Sequence, residues 1–151
     1  MFLKSFVSLL VCPWSRRRRA EIVTVRSLFI ENRDRFRKLL LGDALNGNYR
    51  TAPEFDRRSY VRNQEAFLCL KIAELDLELL SLRRTEKRVI QTQEKIVELY
   101  RDRMYLTSQA LFSEQERNDP NMKPYLKRLP LYEHALDKCE RELREIGETL
   151  E

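Results

Sequence analysis

Few residues of this chain belong to the types that do chemistry. The sequence has one histidine and three cysteines, and its three glycines are scattered. His134 lies in a segment of alternating acids and bases, where a histidine is typically a surface residue and not a general base. A catalytic nucleophile needs a base close by, and scattered glycines do not form a phosphate-binding loop. The sequence therefore predicts no enzymatic activity, no catalytic residue and no cofactor.

The cysteines also lack the pattern of a site. Cys12, Cys69 and Cys139 are odd in number, have no CxxC spacing and stand at no metal-ligand spacing from His134. We expect each of them to be a small buried or half-buried apolar residue in a reducing compartment. No metal site is predicted.

The strongest charge signal lies in residues 1–20. The whole chain has a net charge of +5 at pH 7, and this segment contains Lys4 and a run of arginines but no acid. The run is predicted to contact phosphate groups, either of ribosomal RNA or of anionic lipid. Its members are Arg16, Arg17, Arg18 and Arg19.

Four interpretations of residues 1–20 compete. In a secretory signal peptide the positive charge precedes the apolar run, whereas here it follows, and the run is too short for a transmembrane helix. A mitochondrial targeting segment is rich in Arg and Ser and free of acids, as this one is. A retained interfacial anchor would place Phe2, Phe6, Leu9 and Trp14 in the interface and the arginine run on phosphates of lipid or RNA, and the phosphate contact is compatible with mitochondrial import. The pattern favours mitochondrial targeting and leaves open whether the segment is cleaved.

The composition indicates an all-α fold. Five prolines and three glycines supply few of the turns that a sheet requires. Hydrophobic periodicity predicts three helices in a single elongated domain, 21–151, that follows the N-terminal segment. Their expected bounds are about 21–41, 54–118 and 131–150. The apolar stripe of the first helix consists of Ile22, Val25, Phe29, Phe36 and Leu40.

The segment 54–118 dominates the predicted architecture. It contains neither Gly nor Pro, and as one helix it would measure roughly 95 Å at about 1.5 Å per residue. One heptad seam, starting at Val61, is apolar throughout, but a second seam is broken at Glu65, Glu86 and Gln93. This pattern predicts an interrupted coiled coil.

The two shorter helices are predicted to fold back antiparallel on the two ends of this long central helix. Neither would reach the polar stretch 83–95, and the apolar surface near the start of the long helix would need a further cover. We therefore expect a partner interface on the long helix. Its predicted residues are Phe67, Leu70, Leu77, Leu80, Arg83, Arg84 and Arg88.

One short motif resembles that of a known family. The tripeptide Leu99-Tyr100-Arg101 is similar to the signature of the LYR family, small three-helix mitochondrial proteins that bind acyl carrier protein and serve respiratory complexes or iron-sulfur assembly. In that family the tripeptide opens the first helix near the N-terminus, whereas here it lies late in the predicted long helix. The resemblance covers three residues and assigns no functional residue in this chain.

Two hypotheses for function follow from these features. The first is a non-catalytic structural subunit of a large mitochondrial assembly, a ribosome or a respiratory membrane complex, in the matrix or at the matrix face of the inner membrane. It would bridge neighbouring protein subunits through its long helix and contact rRNA or lipid phosphates through its N-terminus. The alternative is a cytoplasmic coiled-coil adaptor or self-associating scaffold with a basic, membrane-binding N-terminus. A homodimer is the less favoured arrangement.

Overall fold

The computed structural model of the protein describes residues 2–42, 57–115 and 129–150. Within these ranges the chain forms α-helices and no strand, so the all-α prediction is confirmed. The helices are α1 (Phe2–Leu41), α2 (Arg57–Leu82), α3 (Lys87–Gln115) and α4 (Leu129–Leu150).

Each helix packs against the next one along the chain. On α1, Arg18 contacts Glu78 near the end of α2, whereas Arg37 contacts Glu65 near the start of α2. These two contacts show that α1 and α2 run antiparallel. The pair α2 and α3 is antiparallel as well, because Asn63 near the start of α2 contacts Ser108 late in α3, and Ala73 further along α2 contacts Gln93 early in α3. Helix α4 packs on α3.

The predicted continuous helix over 54–118 is wrong, because the chain reverses in its middle. Helix α2 ends at Leu82 and α3 begins at Lys87, so four residues separate two helices that lie side by side. The outer ends of the predicted helix, at residues 54 and 118, lie outside the described residues.

The reversal is a Schellman motif built without glycine. Arg84 has a φ of 51°, the left-handed conformation that usually falls to glycine at a helix end. The Thr85 N–H donates to the Leu80 carbonyl and the Arg84 N–H donates to the Ser81 carbonyl, both at 3.2 Å. These bonds satisfy carbonyls that the end of α2 would otherwise leave open. Part of the polar stretch 83–95 is therefore a turn and not an uncovered section of a rod.

Because the chain reverses at this turn, α3 packs on the apolar side of α2. Leu70 and Ala73 of α2 pack against Val97 of α3, and these three residues are the buried centre of a core cluster. Partly buried residues surround it, namely Leu77, Ile96, Tyr100 and Met104. Part of the apolar surface that was expected to need a partner, at Leu70 and Leu77, is thus covered within the chain, between α2 and α3.

The last helix, predicted at about 131–150, is α4 (Leu129–Leu150), whereas the start of the first helix changed. The first helix was expected to begin at about residue 21, but α1 begins at Phe2 and includes the arginine run. Arginine, leucine and alanine are good helix formers, so no residue between Trp14 and Leu41 stops the helix. At its C-terminal end the Gly42 N–H still donates to the Lys38 carbonyl at 3.0 Å.

Candidate functional site

A buried carboxylate links all four helices. Glu65 of α2 is only 3% exposed. Its Oε2 accepts a hydrogen bond from Arg103 Nη2 of α3 at 2.6 Å, and its Oε1 accepts one from Arg37 Nε of α1 at 3.0 Å. The Cys69 thiol, one turn further along α2, donates to Oε1 at 3.0 Å. Arg103 Nε in turn donates to Glu140 Oε1 of α4 at 3.3 Å. We call these five residues the Glu65 junction.

The junction is electrostatically satisfied. Burial by itself would raise the pKa of Glu65, but the Arg103 charge and the hydrogen bonds from Cys69, Arg103 and Arg37 outweigh it, so the pKa lies below its ordinary value. Burial, and next the Glu65 charge, raise the pKa of the Cys69 thiol to about 11. The thiol is therefore protonated at neutral pH and serves as a hydrogen-bond donor, not as a nucleophile.

An open cleft of about 500 Å³ lies beside the junction. Its charged lining includes Arg37, Glu65, Arg103 and Glu140, which neutralise one another in the contacts just described. The remaining lining residues are Leu40, Leu41, Tyr100, Leu143 and Arg144. Because the junction charges are already paired, we assign no ligand to this cleft and regard the junction as a structural centre.

The side of α1 that faces α2, its inner face, is held largely by arginines. Arg18 Nη2 donates to Glu78 Oε2 at 2.9 Å, and Arg26 pairs with Asp76 of α2. Arg19 Nη2 donates at 2.9 Å to the carbonyl of Leu82, the last residue of α2. A cation there also complements the negative end of the helix dipole. With Arg37 at the Glu65 junction, these arginines define the inner face together with the buried Ile22.

The predicted phosphate-contact residues therefore divide into two pairs. Arg18 and Arg19 contact α2, and the charge of Glu78 raises the pKa of Arg18 through the hydrogen bond between them. Arg16 is exposed, and the Arg17 side chain is exposed beside its own helical neighbour Glu21 at 3.5 Å. The Arg18 side chain is 47% exposed but is already paired with Glu78, so Arg16 and Arg17 are the two that fit the predicted role best.

A second side of α1, next to the inner face, carries exposed apolar side chains. Trp14 is 80% exposed and Leu28 is 56% exposed, while Leu39 and Val25 are 41% and 38% exposed. At about 100° per residue all four lie within roughly 60° of one another; Arg18 borders this sector, whereas the other inner-face arginines lie roughly 100° or more from it. We call this line the outer face of α1. The sequence stripe led by Ile22 described mainly the other side of the helix, because α1 has apolar residues on two sides.

The predicted partner-interface residues are scattered. Leu70 is buried in the α2–α3 core, and Leu77 packs against that core. Leu80 is half-buried, and Phe67 is exposed with the Lys71 ammonium 5.4 Å from its ring centroid. The three arginines of the set are exposed at or just after the turn, namely Arg83, Arg84 and Arg88. The structure does not gather these seven residues into one surface.

The three polar residues that interrupt the predicted heptad seam mark structural features that the hydrophobic periodicity did not predict, namely two buried polar contacts and the turn between α2 and α3. Glu65 is the centre of the junction, and Glu86 lies in the turn before α3, where its carbonyl accepts a bond from the Ile90 N–H at 3.2 Å. The buried Gln93 amide donates to the Ala73 carbonyl at 3.0 Å. A polar residue at a core position of a seam marks a buried partner or an end of the helix.

Comparison with protein-family models, curated proteins and solved structures gives no match. Function is therefore inferred from the side-chain contacts and the solvent exposure seen in this chain. Among the helices that the structure describes, none has the length and hydropathy to cross a membrane. In the same part of the chain, no cluster of three or more His, Cys, Asp or Glu residues is arranged to hold a metal ion. His134 is exposed on α4.

Proposed function

We propose that this chain is a non-catalytic helical subunit of a larger protein assembly and that the outer face of α1 is its docking surface. The supporting observation is the line of four exposed apolar side chains beside an inner face that is already paired with α2. Single exposed apolar residues are common on protein surfaces. An apolar line along one helix is the pattern by which helices dock on other proteins.

A second part of the proposal concerns the N-terminal arginines. Arg16 and Arg17 contact phosphate groups of RNA or of anionic lipid, while Arg18 and Arg19 secure α1 to α2. The exposure of the first pair and the contacts of the second support this division. Replacing Arg16 and Arg17 with Gln should weaken association with RNA or anionic vesicles, more at low salt than at high salt. If the variant and the natural protein bind equally at every salt concentration, Arg16 and Arg17 do not contact phosphate groups.

The proposed location is the mitochondrion, in the matrix or at the matrix face of the inner membrane. The support is the acid-free, Arg-rich N-terminal segment, which is typical of mitochondrial targeting. The assembly is a ribosome or a respiratory membrane complex. Cytoplasmic location, as an adaptor or scaffold, is the alternative, and fractionation of cells that express a C-terminally tagged chain separates the two.

Affinity purification with the outer face intact or disrupted tests the docking surface. Leu28→Glu places a charge in the middle of the face. Val23→Glu is the matched control, because Val23 is an exposed residue of the same helix on a different side. We expect Leu28→Glu to lose the subunits that co-purify with the natural chain and Val23→Glu to retain them. If the natural chain, Leu28→Glu and Val23→Glu all co-purify with the same subunits, the outer face is not the docking surface.

A further inference from the structure

We infer that one end of the molecule, formed by the arginine run of α1 and the turn between α2 and α3, binds the surface of an anionic lipid bilayer. This inference rests on the second part of the proposed function, the phosphate contacts of Arg16 and Arg17. It adds the residues of the turn to that surface and selects lipid over RNA as the source of the phosphates.

Two basic segments that are distant in the sequence meet at this end. Arg19 Nη2 donates at 2.9 Å to the carbonyl of Leu82, and Arg18 pairs with Glu78 close to the same end of α2. These contacts join positions that are 63 and 60 residues apart, and they set the arginine run beside the turn that follows Leu82. We call the exposed cations that result the basic collar. Its members are Arg16, Arg17, Arg83, Arg84, Lys87 and Arg88.

The collar cations are available to an external anion. In the described part of the chain, neither Arg16 nor any of the four collar cations from the turn and the start of α3 forms an ion pair with a carboxylate. Arg17 pairs with Glu21 at 3.5 Å, but its side chain remains 82% exposed. An exposed pair of this kind is weak in water and yields readily to a phosphate group.

The excess positive charge of the whole chain lies at this end. Residues 15–21 and 78–88 together contain eight basic and three acidic residues. The chain has 29 basic and 24 acidic residues, so the remainder has 21 of each and is neutral overall. A positive field concentrated at one end orients the molecule towards an anionic surface.

Helix α1 continues past this end. Because α1 and α2 are antiparallel and Arg19 contacts the last residue of α2, residues 2–13 extend beyond the end of α2 and the start of α3. These residues are mostly apolar, and Lys4 is the only charged one among them. At about 1.5 Å per residue they measure roughly 18 Å, which is less than the hydrocarbon thickness of a bilayer, about 30 Å. The segment is long enough to enter the interface of a bilayer and too short to cross it.

Trp14 lies between this apolar segment and the basic collar. It is 80% exposed and is the only tryptophan of the chain. Tryptophan is enriched at the level of lipid headgroups, because its ring is apolar and its N–H is a hydrogen-bond donor. An exposed tryptophan that follows an apolar segment and precedes a group of cations fits the boundary between the acyl chains and the headgroup phosphates.

The arrangement of the cations favours lipid over RNA. Consecutive helical residues are about 100° apart, so the four arginines of the run 16–19 surround α1 at one level, and the turn adds cations at that level. A flat surface that α1 enters meets all exposed members of such a ring at once. An RNA that lies along one side of a helix is instead met by cations at three- and four-residue spacing.

Co-sedimentation of the full chain with vesicles tests the binding. We expect the chain to bind vesicles of equal parts phosphatidylcholine and phosphatidylglycerol at least about tenfold more tightly than vesicles of phosphatidylcholine alone, and to lose this preference at high salt. On binding, the Trp14 emission should shift to shorter wavelength and become less accessible to acrylamide. No binding to the anionic vesicles at low salt, or binding with unchanged Trp14 emission, would overturn the inference.

Substitutions at the turn test whether its cations belong to the surface. Arg83→Gln/Arg88→Gln should weaken binding to the anionic vesicles at least about tenfold, whereas Arg83→Lys/Arg88→Lys keeps both charges and should bind as the natural chain does. Arg84 stays unchanged because its φ of 51° makes its substitution a test of the turn conformation as well. The matched control Arg101→Gln/Arg141→Gln removes two exposed charges that lie roughly 20 Å along α3 from the turn, and it should weaken binding much less. Equal binding by the turn variant and the control rejects the composite surface, provided that circular dichroism shows equal helix content.

The outcomes separate this inference from the proposed function. If Arg16→Gln/Arg17→Gln weakens vesicle binding but Arg83→Gln/Arg88→Gln does not, the phosphate contacts stand and the turn is rejected as part of the surface. If the natural chain binds poly(U) RNA and no vesicles, and Arg16→Gln/Arg17→Gln weakens that binding, the phosphate contacts stand and lipid is rejected. A chain that binds neither vesicles nor RNA at low salt rejects both.

Discussion

The inner and outer faces of α1 differ in what their side chains contact. The inner face brings Arg18, Arg26 and Arg37 against carboxylates of α2, and each charge there has a partner. The outer face presents apolar side chains, among them Trp14 and Leu28, to solvent. The inner face also carries the buried Ile22 and the half-buried Phe29, Phe36 and Leu40, so α1 has apolar side chains on both of these faces and paired charges on one.

This difference separates the contacts that attach α1 to α2 from the surface that is proposed to dock on a partner. Its attachment to α2 depends on the buried Ile22 with the half-buried apolar residues on the same side, and on ion pairs, of which the exposed ones are screened by salt. The Glu65 junction is the exception, because its carboxylate is buried. The outer face contributes little to folding of one chain, and this exposure is what supports the proposed docking role. The following experiments compare the effects of substitutions on the inner face with those of substitutions on the outer face.

The largest effect is expected at the Glu65 junction. Glu65→Ala removes the buried carboxylate that Arg37 and Arg103 share, and Arg103, whose side chain is only 12% exposed, then keeps only the exposed Glu140. Removing the buried partner of such a charge should lower the free energy of unfolding by about 3–5 kcal/mol. Urea denaturation followed by circular dichroism measures it. The control Glu78→Ala removes an exposed carboxylate of the same seam and should cause only a small loss. Equal losses would show that burial does not distinguish the two sites.

Acid should weaken the inner face by a smaller amount. The pKa of Glu65 lies below its ordinary value, after burial is outweighed by Arg103 and the hydrogen bonds, and the hydrogen bond from Arg18 lowers the pKa of Glu78. Their stabilisation is therefore fully present above the pKa of an unfolded glutamate, about 4.3. It is lost as pH falls through the lower folded-state values.

The urea midpoint measured against pH tests this linkage. Glu65→Gln has no charge to lose at that position, so its midpoint should be lower at neutral pH and should fall less steeply in acid than that of the natural chain. Parallel curves for the two proteins would contradict a lowered pKa at Glu65.

The smallest effect is expected on the outer face. In a dilute solution that keeps the chain monomeric, Leu28→Ala should change the free energy of unfolding by less than about 0.5 kcal/mol, because Leu28 is mostly in water. Ile22→Ala, six residues earlier on the inner side, should cost about 2–5 kcal/mol because it opens a cavity in a buried contact. Similar losses for both variants would place the outer face in the core.

Much of the helical content was predictable from local properties. The scarcity of Gly and Pro indicated an all-α chain, and the periodicity ended the first helix at the residue where α1 ends, Leu41. The turn at 83–86 was not predictable in the same way. The heptad seam passes through Leu82 and Val89 in phase, and Arg84 occupies a left-handed conformation that glycine usually signals.

The sequence by itself determined that this protein is built from helices and that its N-terminal part is basic, because helix propensity, apolar period and charge are properties of neighbouring residues. Only the tertiary structure decided which residues meet. It placed Glu65 between Arg37 and Arg103, and it buried Leu70 against Val97. Both outcomes depend on the reversal at Arg84, which brings distant parts of the chain together. The same packing left the outer face of α1 in solvent.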